Sequence, residues 1–306
     1  MLTSKKWNPS WASALSLLVM LGTPAWAEEP EVEINPVDES AANPWRPKVT
    51  LELGRLNEAG IKDYDGGVSD RYYDALIENG YGYLGYTQWN LDWHDVSDLP
   101  FGDGDSQPIK GLQGVRLGGK FNHRFNDKTM LLSSLGVSSK YEAQTDDSYS
   151  VNLRALIAYR LQKDISVLGG VIYNYHPVRS RIYPAIGLGY RARAEDGISA
   201  VLGFPRAFVA YGFAQNWKIS SGISYRQFMA RLAKDNSVEA GGYVELQTWK
   251  ADVMLSYDLT RDWQLDVMAN YSADYRFTFY NEDGNRQNQY QLEPSWGGGL
   301  RMEYQF

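Results

Sequence analysis

Apolar and polar residues alternate one by one through most of this chain. In residues 296–306 the even positions are Trp296, Gly298, Leu300, Met302, Tyr304 and Phe306, and the odd ones Gly297, Gly299, Arg301, Glu303 and Gln305. A helix would bring apolar residues together at three and four apart, so period two reads as a strand with one apolar face. The pattern recurs on the odd positions of residues 149–161 (Tyr149, Val151, Leu153), 249–259 (Trp249, Val253, Leu255) and 263–277 (Trp263, Leu265, Val267, Tyr275, Phe277). The intervening positions carry Asn152, Arg154, Arg160, Lys250, Asp252, Asp258, Asp266 and Asp274. Strands of roughly 9–13 residues are long for a soluble sheet and suit a tilted crossing of a bilayer.

Two packings explain such alternation. A soluble sandwich turns its apolar face to a core, but does not require aromatic residues at strand ends. A membrane barrel turns that face to lipid, places aromatic rings at both interfaces and keeps a polar interior. A closed barrel is also the one sheet that pairs all its backbone groups in lipid. The expected fold is therefore all-β, a single transmembrane antiparallel β-barrel over residues 46–306.

Counting back from Phe306, twelve strands are predicted, near 80–95, 109–125, 129–141, 149–161, 165–176, 182–192, 196–204, 206–213, 217–230, 241–259, 263–277 and 289–306. Residues 49–56 alternate too and would make thirteen, and bacterial barrels have even counts. Twelve is the expectation, with fourteen if a strand is hidden among residues 57–80. Val244 and Leu246 break parity with Trp249, which suggests a β-bulge nearby. Short turns at 125–129, 161–165, 213–217 and 259–263 alternate with longer polar connections at 142–148, 176–181, 233–240 and 281–288.

The N-terminus reads differently. Lys5 and Lys6, an apolar stretch at 12–21 and Ala25-Trp26-Ala27 predict a cleaved signal peptide at 1–27. Residues 28–45 form an acidic linker with no apolar period, expected to lie in the periplasm. Cleavage would remove two lysines and no acid, taking the net charge from −7 to −9.

Composition narrows the chemistry. With no Cys among 306 residues, a disulfide scaffold, a Cys-ligated metal and a thiol nucleophile are excluded. The acidic balance argues against a nucleic-acid partner. The 22 Tyr and 10 Trp in a chain that is 22% charged are accounted for by two interfacial girdles.

Signal peptide, alternating strands and the ending Tyr304-Gln305-Phe306 resemble Gram-negative outer-membrane β-barrels. That resemblance implies the cell outer membrane as location, with lipid and lipopolysaccharide around the wall. It also implies that Tyr304 and Phe306 present the C-terminal signal read by the barrel-assembly machinery. The runs 184–190 and Leu202-Gly203-Phe204-Pro205 look like an uncharacterised bacterial outer-membrane family with a Gly-Phe-Pro hairpin, which implies no particular chemistry.

An enzyme in the wall is not expected. Gly85-Tyr86-Thr87-Gln88 is similar to a string in the outer-membrane phospholipase, but none of His94, His123 and His176 has the Ser two places on that this chemistry needs. His94-Asp95 and Asp103-Gly104-Asp105 fall short of metal-ligand spacing, so no metal or cofactor is expected. What remains is charge on the inward face: Arg116, Lys120, Arg154, Arg160, Asp252, Asp266 and Arg301. Turned to lipid at mid-membrane, Arg or Lys costs about 2–4 kcal/mol, so these side chains belong inside. The first expectation is porin-like passage of small polar or ionic solutes past these residues. The alternative is a non-conducting structural, surface-binding or adhesion barrel acting through its loops.

Overall fold

The computed structural model describes residues 45–191 and 197–306. The expected leader and residues 28–44 of the linker lie outside the described residues. Fifteen strands follow in order: β1 (Lys48–Gly60), β2 (Gly67–Glu78), β3 (Gly82–His94), β4 (Gly111–Arg124), β5 (Thr129–Tyr141), β6 (Tyr149–Arg160), β7 (Ile165–Tyr175) and β8 (Arg181–Arg191). They continue as β9 (Ile198–Phe204), β10 (Arg206–Ala214), β11 (Trp217–Arg231), β12 (Tyr243–Asp258), β13 (Trp263–Tyr280), β14 (Arg286–Gln291) and β15 (Ser295–Gln305).

Each strand from β1 to β13 pairs antiparallel with the next, β13 pairs with β15, and β15 returns to β1. Fourteen strands thus close a ring, and β14 lies outside it, on the upper end of β13 beyond Arg276. This corrects the expected twelve. The two strands not counted are β1 and β2, and β2 was hidden because it has apolar residues on both faces. Tyr73 and Ile77 point out, while Val68 and Tyr72 point in and are buried.

Outside, the ring carries an exposed apolar belt that includes Leu53, Leu117, Leu135, Leu153, Ile186, Leu202, Ile223, Val267 and Leu300. Charged residues such as Glu52, Asp266 and Arg301 are buried inside. In water that arrangement would be inverted; in lipid it satisfies both faces. Aromatic pairs bound the belt. At the lower edge Trp217 meets Tyr257 and Trp263 meets Tyr304, each with ring centroids 4.5 Å apart. Tyr271 and Trp296 pair at 4.8 Å at the upper edge. Eight residues separate Trp296 from Tyr304, about 26 Å along a strand and about 20 Å after a tilt of ~40°, which approaches the height of a bilayer's apolar band.

Above this belt the two faces exchange character. On β3 the outward face runs from Leu84 and Tyr86 to Gln88, Asn90, Asp92 and His94, while the inward face runs from Thr87 to Trp89, Leu91 and Trp93. The outer surface has left lipid for water, and the inner surface has become a packed core. The same change explains Val244 and Leu246: β12 pairs with β11 without a break, so both point inward into that core. The bulge is instead on β13, where the register shifts opposite Gln247 and Trp249 and Asp274 takes φ 52°. Asp274 therefore does not face the lumen as an even position, and above it the odd residues Tyr275, Phe277 and Phe279 turn inward.

Inside the belt the Tyr83 ring of β3 lies over Gly118 of β4, where a Cβ would strike the ring. Gly118→Val should cost about 1–3 kcal/mol by overpacking. The barrel should then lose its heat-modifiable electrophoretic shift at a lower temperature, and adding Tyr83→Ala should recover part of the loss.

Candidate functional site

Inward side chains divide the lumen into two unequal compartments. At the mouth, β5 and β11 touch directly through a parallel bridge between Tyr141 and Arg231, and the Glu142 N–H donates to the Arg231 carbonyl at 2.8 Å. Loop residues extend this contact. Gln144 Nε2 donates to the Leu232 carbonyl at 2.7 Å, and Glu142 Oε2 accepts from Ala233 N and Asn236 Nδ2 at 2.9 Å each. Asn236 Nδ2 also reaches the Pro108 carbonyl at 2.7 Å, which ties in the loop after β3. Five strands, β6 to β10, lie between β5 and β11, so this seam crosses the mouth.

On the side of β1–β4 and β11–β13 the interior is filled. Leu56, Leu112, Leu246, Phe277 and Phe279 pack with Trp89 and Phe228, whose rings stack 4.8 Å apart at 11° across the barrel. Beneath this core lies a layer of charge. Arg301 Nε donates to Asp266 Oδ2 at 2.7 Å and sits 3.3 Å from Glu303, with Glu52 opposite it on the closing strand. Arg116 holds Asp74 through two hydrogen bonds of 2.8 Å, and Glu78 lies between Lys48 at 3.0 Å and Lys120 at 2.6 Å. Tyr72 Oη donates to Glu52 at 2.9 Å, and the Lys250 ammonium lies 5.6 Å from the centre of the Tyr72 ring. A cavity of about 10 Å³ beside Tyr72, Lys250, Asn270 and Tyr275 admits about one water. This half gives a solute no passage.

The other compartment runs along β5–β10. Its inward face mixes small residues, Ser134, Gly170, Gly187, Ser199 and Gly203, with a buried aliphatic cluster of Leu132, Leu156, Leu168, Ile172 and Ala185. Among these, Arg154, Arg160, Arg206 and Phe208 stay part-exposed, as does Asp252 on the facing strand β12. Above them the compartment is closed by contacts around Glu245, which is fully buried. Tyr280 Oη donates to Glu245 Oε2 at 2.7 Å, Arg181 and Gln227 bind its Oε1, and Tyr183 donates to Gln227. Arg179 completes the group, 3.1 Å from Tyr280 Oη and 3.8 Å from Glu245. These residues meet because β9 and β10 are only 7 and 9 residues long, which leaves β8 facing the outer side of β11 and β12 above the turn at Pro205.

The seven sequence-derived residues all point inward but fall in different places. Arg301 and Asp266 form a closed pair, and Arg116 and Lys120 are engaged by β2 carboxylates. Arg154, Arg160 and Asp252 border the part-open compartment. Arg206 was missed because it follows Pro205, although Arg206, Phe208, Ala210 and Gly212 alternate in step. Glu245 was missed because its position faces out of the ring, and only the inward lean of β11–β13 gives it partners.

The other polar candidates are engaged locally. His94 lies on the outer face, 3.3 Å from Ser69 Oγ, and His123 stands between Phe121 and Phe125 on the lipid side. Asp103 accepts from Ser106 N at 2.8 Å, Ser106 Oγ at 2.7 Å and Asp105 N at 3.0 Å, which holds its carboxyl at about 2. His176, in the connection after β7, is buried against Tyr243 with ring centroids 5.5 Å apart, and its Nδ1 accepts from Val178 N at 3.2 Å. Burial, with Lys140 nearby, pushes its imidazole down to about 4.

No family model matches the chain, and no curated protein matches it. Solved structures with a similar fold include an outer membrane channel from Pseudomonas putida F1, 9% identical, covering 94% of this chain and 100% of that one at a TM-score of 0.43. A Pseudomonas aeruginosa FadL homologue is 11% identical, covering 85% and 90% at a TM-score of 0.45. The KdgM porin is 10% identical, covering 85% and 99% at a TM-score of 0.36.

Two outcomes are expected. Arg301→Ala strands Asp266, Glu303 and Glu52 in the interior and should cost about 3–5 kcal/mol in urea unfolding from detergent. For His176, an unfolded loop takes a proton near pH 6.5, whereas the folded loop resists until about 4. The loop's stability is whole above pH 6.5 and should fall by about 3 kcal/mol as pH drops towards 4. Amide protection of residues 176–180 should follow that curve, and His176→Gln should flatten it.

Proposed function

We propose that the chain is an outer-membrane channel that passes small polar or ionic solutes through the compartment along β5–β10. The observation that carries this reading is the uneven filling of the barrel. One half is packed with aromatic residues and closed ion pairs, while the other sets glycine, serine and part-exposed charge beside a smaller aliphatic cluster. Arg154, Arg160 and Asp252 border the path, with Arg206 added to them. Arg116, Lys120, Asp266 and Arg301 shape the opposite wall. In this reading the signal peptide delivers the chain across the inner membrane, and Tyr304 and Phe306 hand the last strand to the assembly machinery. Lipid and lipopolysaccharide surround the belt.

The group around Glu245 acts as the upper closure of the path. One buried carboxylate holds Arg181, Gln227 and Tyr280 from three different strands, so its removal releases all of them together. The cross-linked mouth favours the second reading, a non-conducting barrel that binds surfaces through its loops.

Purified protein in a planar bilayer separates the two. Discrete conductance steps are expected, with Glu245→Ala raising the open fraction several-fold. Silence from both the natural chain and the Glu245→Ala variant would overturn the channel reading.

A further inference from the structure

The charged interior is sorted by strand. Inward acids come from β12, β13 and β15, as Asp252, Asp258, Asp266 and Glu303, and from β1 and β2, as Glu52, Asp70, Asp74 and Glu78. These strands adjoin one another across the seam where the ring closes. From β3 through β11, nine consecutive strands, every charged residue with inward parity among the described residues is basic. The part-open compartment lies within that basic arc. Its inner surface carries Arg154 and Arg160 on β6 and Arg206 on β10, with Lys218 and Arg226 of β11 buried where it borders the filled half. Asp252, on the opposite bank, pairs with Gly222 of β11, which pairs in turn with Phe208 of β10, so the carboxylate stands one step along the inward face from Arg206.

We infer that this compartment is an anion path, built to take small oxyanions bearing carboxylate or phosphate, with Arg154 and Arg206 as its specificity-determining residues and Asp252 as a counter-charge. This rests on the channel reading and sharpens it. Its part-exposed basic groups, Arg154, Arg160 and Arg206, are all guanidinium forks, which match the paired oxygens of a carboxylate or phosphate in a way an ammonium does not. A cation would enter a surface of its own sign in a narrow, low-dielectric bore, where like charges repel most strongly. Asp252 offsets part of the arginine field, so an arriving anion takes over contacts that this carboxylate otherwise satisfies.

The experiment is a reversal-potential measurement across a potassium chloride gradient. The natural chain should reverse towards the chloride potential. Arg206→Gln should lower the chloride-to-potassium permeability ratio about fivefold, the factor that one unit charge about 4 Å from a passing ion supplies in water. Asp252→Asn should raise the ratio. Sodium acetate and sodium phosphate, added separately, should each reduce chloride current in the natural chain and less in Arg154→Gln/Arg206→Gln; whichever blocks more strongly identifies the favoured oxyanion. Each variant must keep its heat-modifiable shift, which shows that the barrel has folded.

A potassium-selective natural chain, or an unchanged ratio in Arg206→Gln with steps still present, would overturn the anion assignment and leave the channel standing. If no steps appear, phosphate-dependent thermal stabilisation decides. A phosphate-induced rise in unfolding temperature that Arg206→Gln abolishes supports an oxyanion site in a closed barrel, and no rise overturns both readings.

Discussion

The whole molecule depends on the pairing of β1 with β15. Until that edge closes, two strands present unpaired N–H and C=O groups to lipid, where no water can satisfy them. Closure also fixes which residues meet across the seam. Glu52 on β1 stands opposite Arg301, which stands opposite Asp266 on β13. Arg301 therefore has a carboxylate on each flanking strand, and the buried charges that look costly one at a time form a layer that only the closed ring assembles. Inward acids are confined to the strands about this seam, where Lys48, Lys250 and Arg301 partly offset them, because strand order around the ring is strand order along the chain.

Much of this was legible from period two alone. The strand expected at 129–141 is β5 to the residue, and most later strands agree within a few positions. What misled was the assumption that one face keeps one character along its length. Within the belt apolar residues point out, but above it they point in, and β2, β3 and β13 cross that boundary. Tyr72 beside Tyr73 shows neither rule cleanly, which hid β2. Tyr275 and Phe277 continue the odd-position pattern of Leu265 and Val267, yet the backbone turn at Asp274 moves them from the outer face to the core. Periodicity sees the alternation and not the bulge that reverses it.

The lumen was half legible in the same sense. Parity placed Arg154, Arg160 and Asp252 inside, as it placed Arg301 and Asp266. It carried no information on which strands fold towards each other across the bore. The stacking of Trp89 on Phe228 and the bridge between β5 and β11 are contacts between distant strands, and these decide which half is filled. A barrel of fourteen strands has room for a wide channel. Here its size is divided between a packed core that stiffens one wall and a slender space beside the other.

The low hairpin of β9 and β10 has a consequence for the molecule's place in its membrane. Strands β12 and β13 run 16 and 18 residues, against 7 and 9 at the hairpin, and β11 continues seven residues past the position paired with Arg206. That continuation stands about 23 Å long by strand rise. The rim is thus a tall crescent on one flank and a notch on the other, so the protein has a compass bearing within the plane of the leaflet. Neighbouring molecules approaching at the notch meet lipid almost to the turn at Pro205, whereas elsewhere around the ring they meet the walls of longer strands. Any lateral array of these barrels would be built along that bearing rather than evenly around the axis.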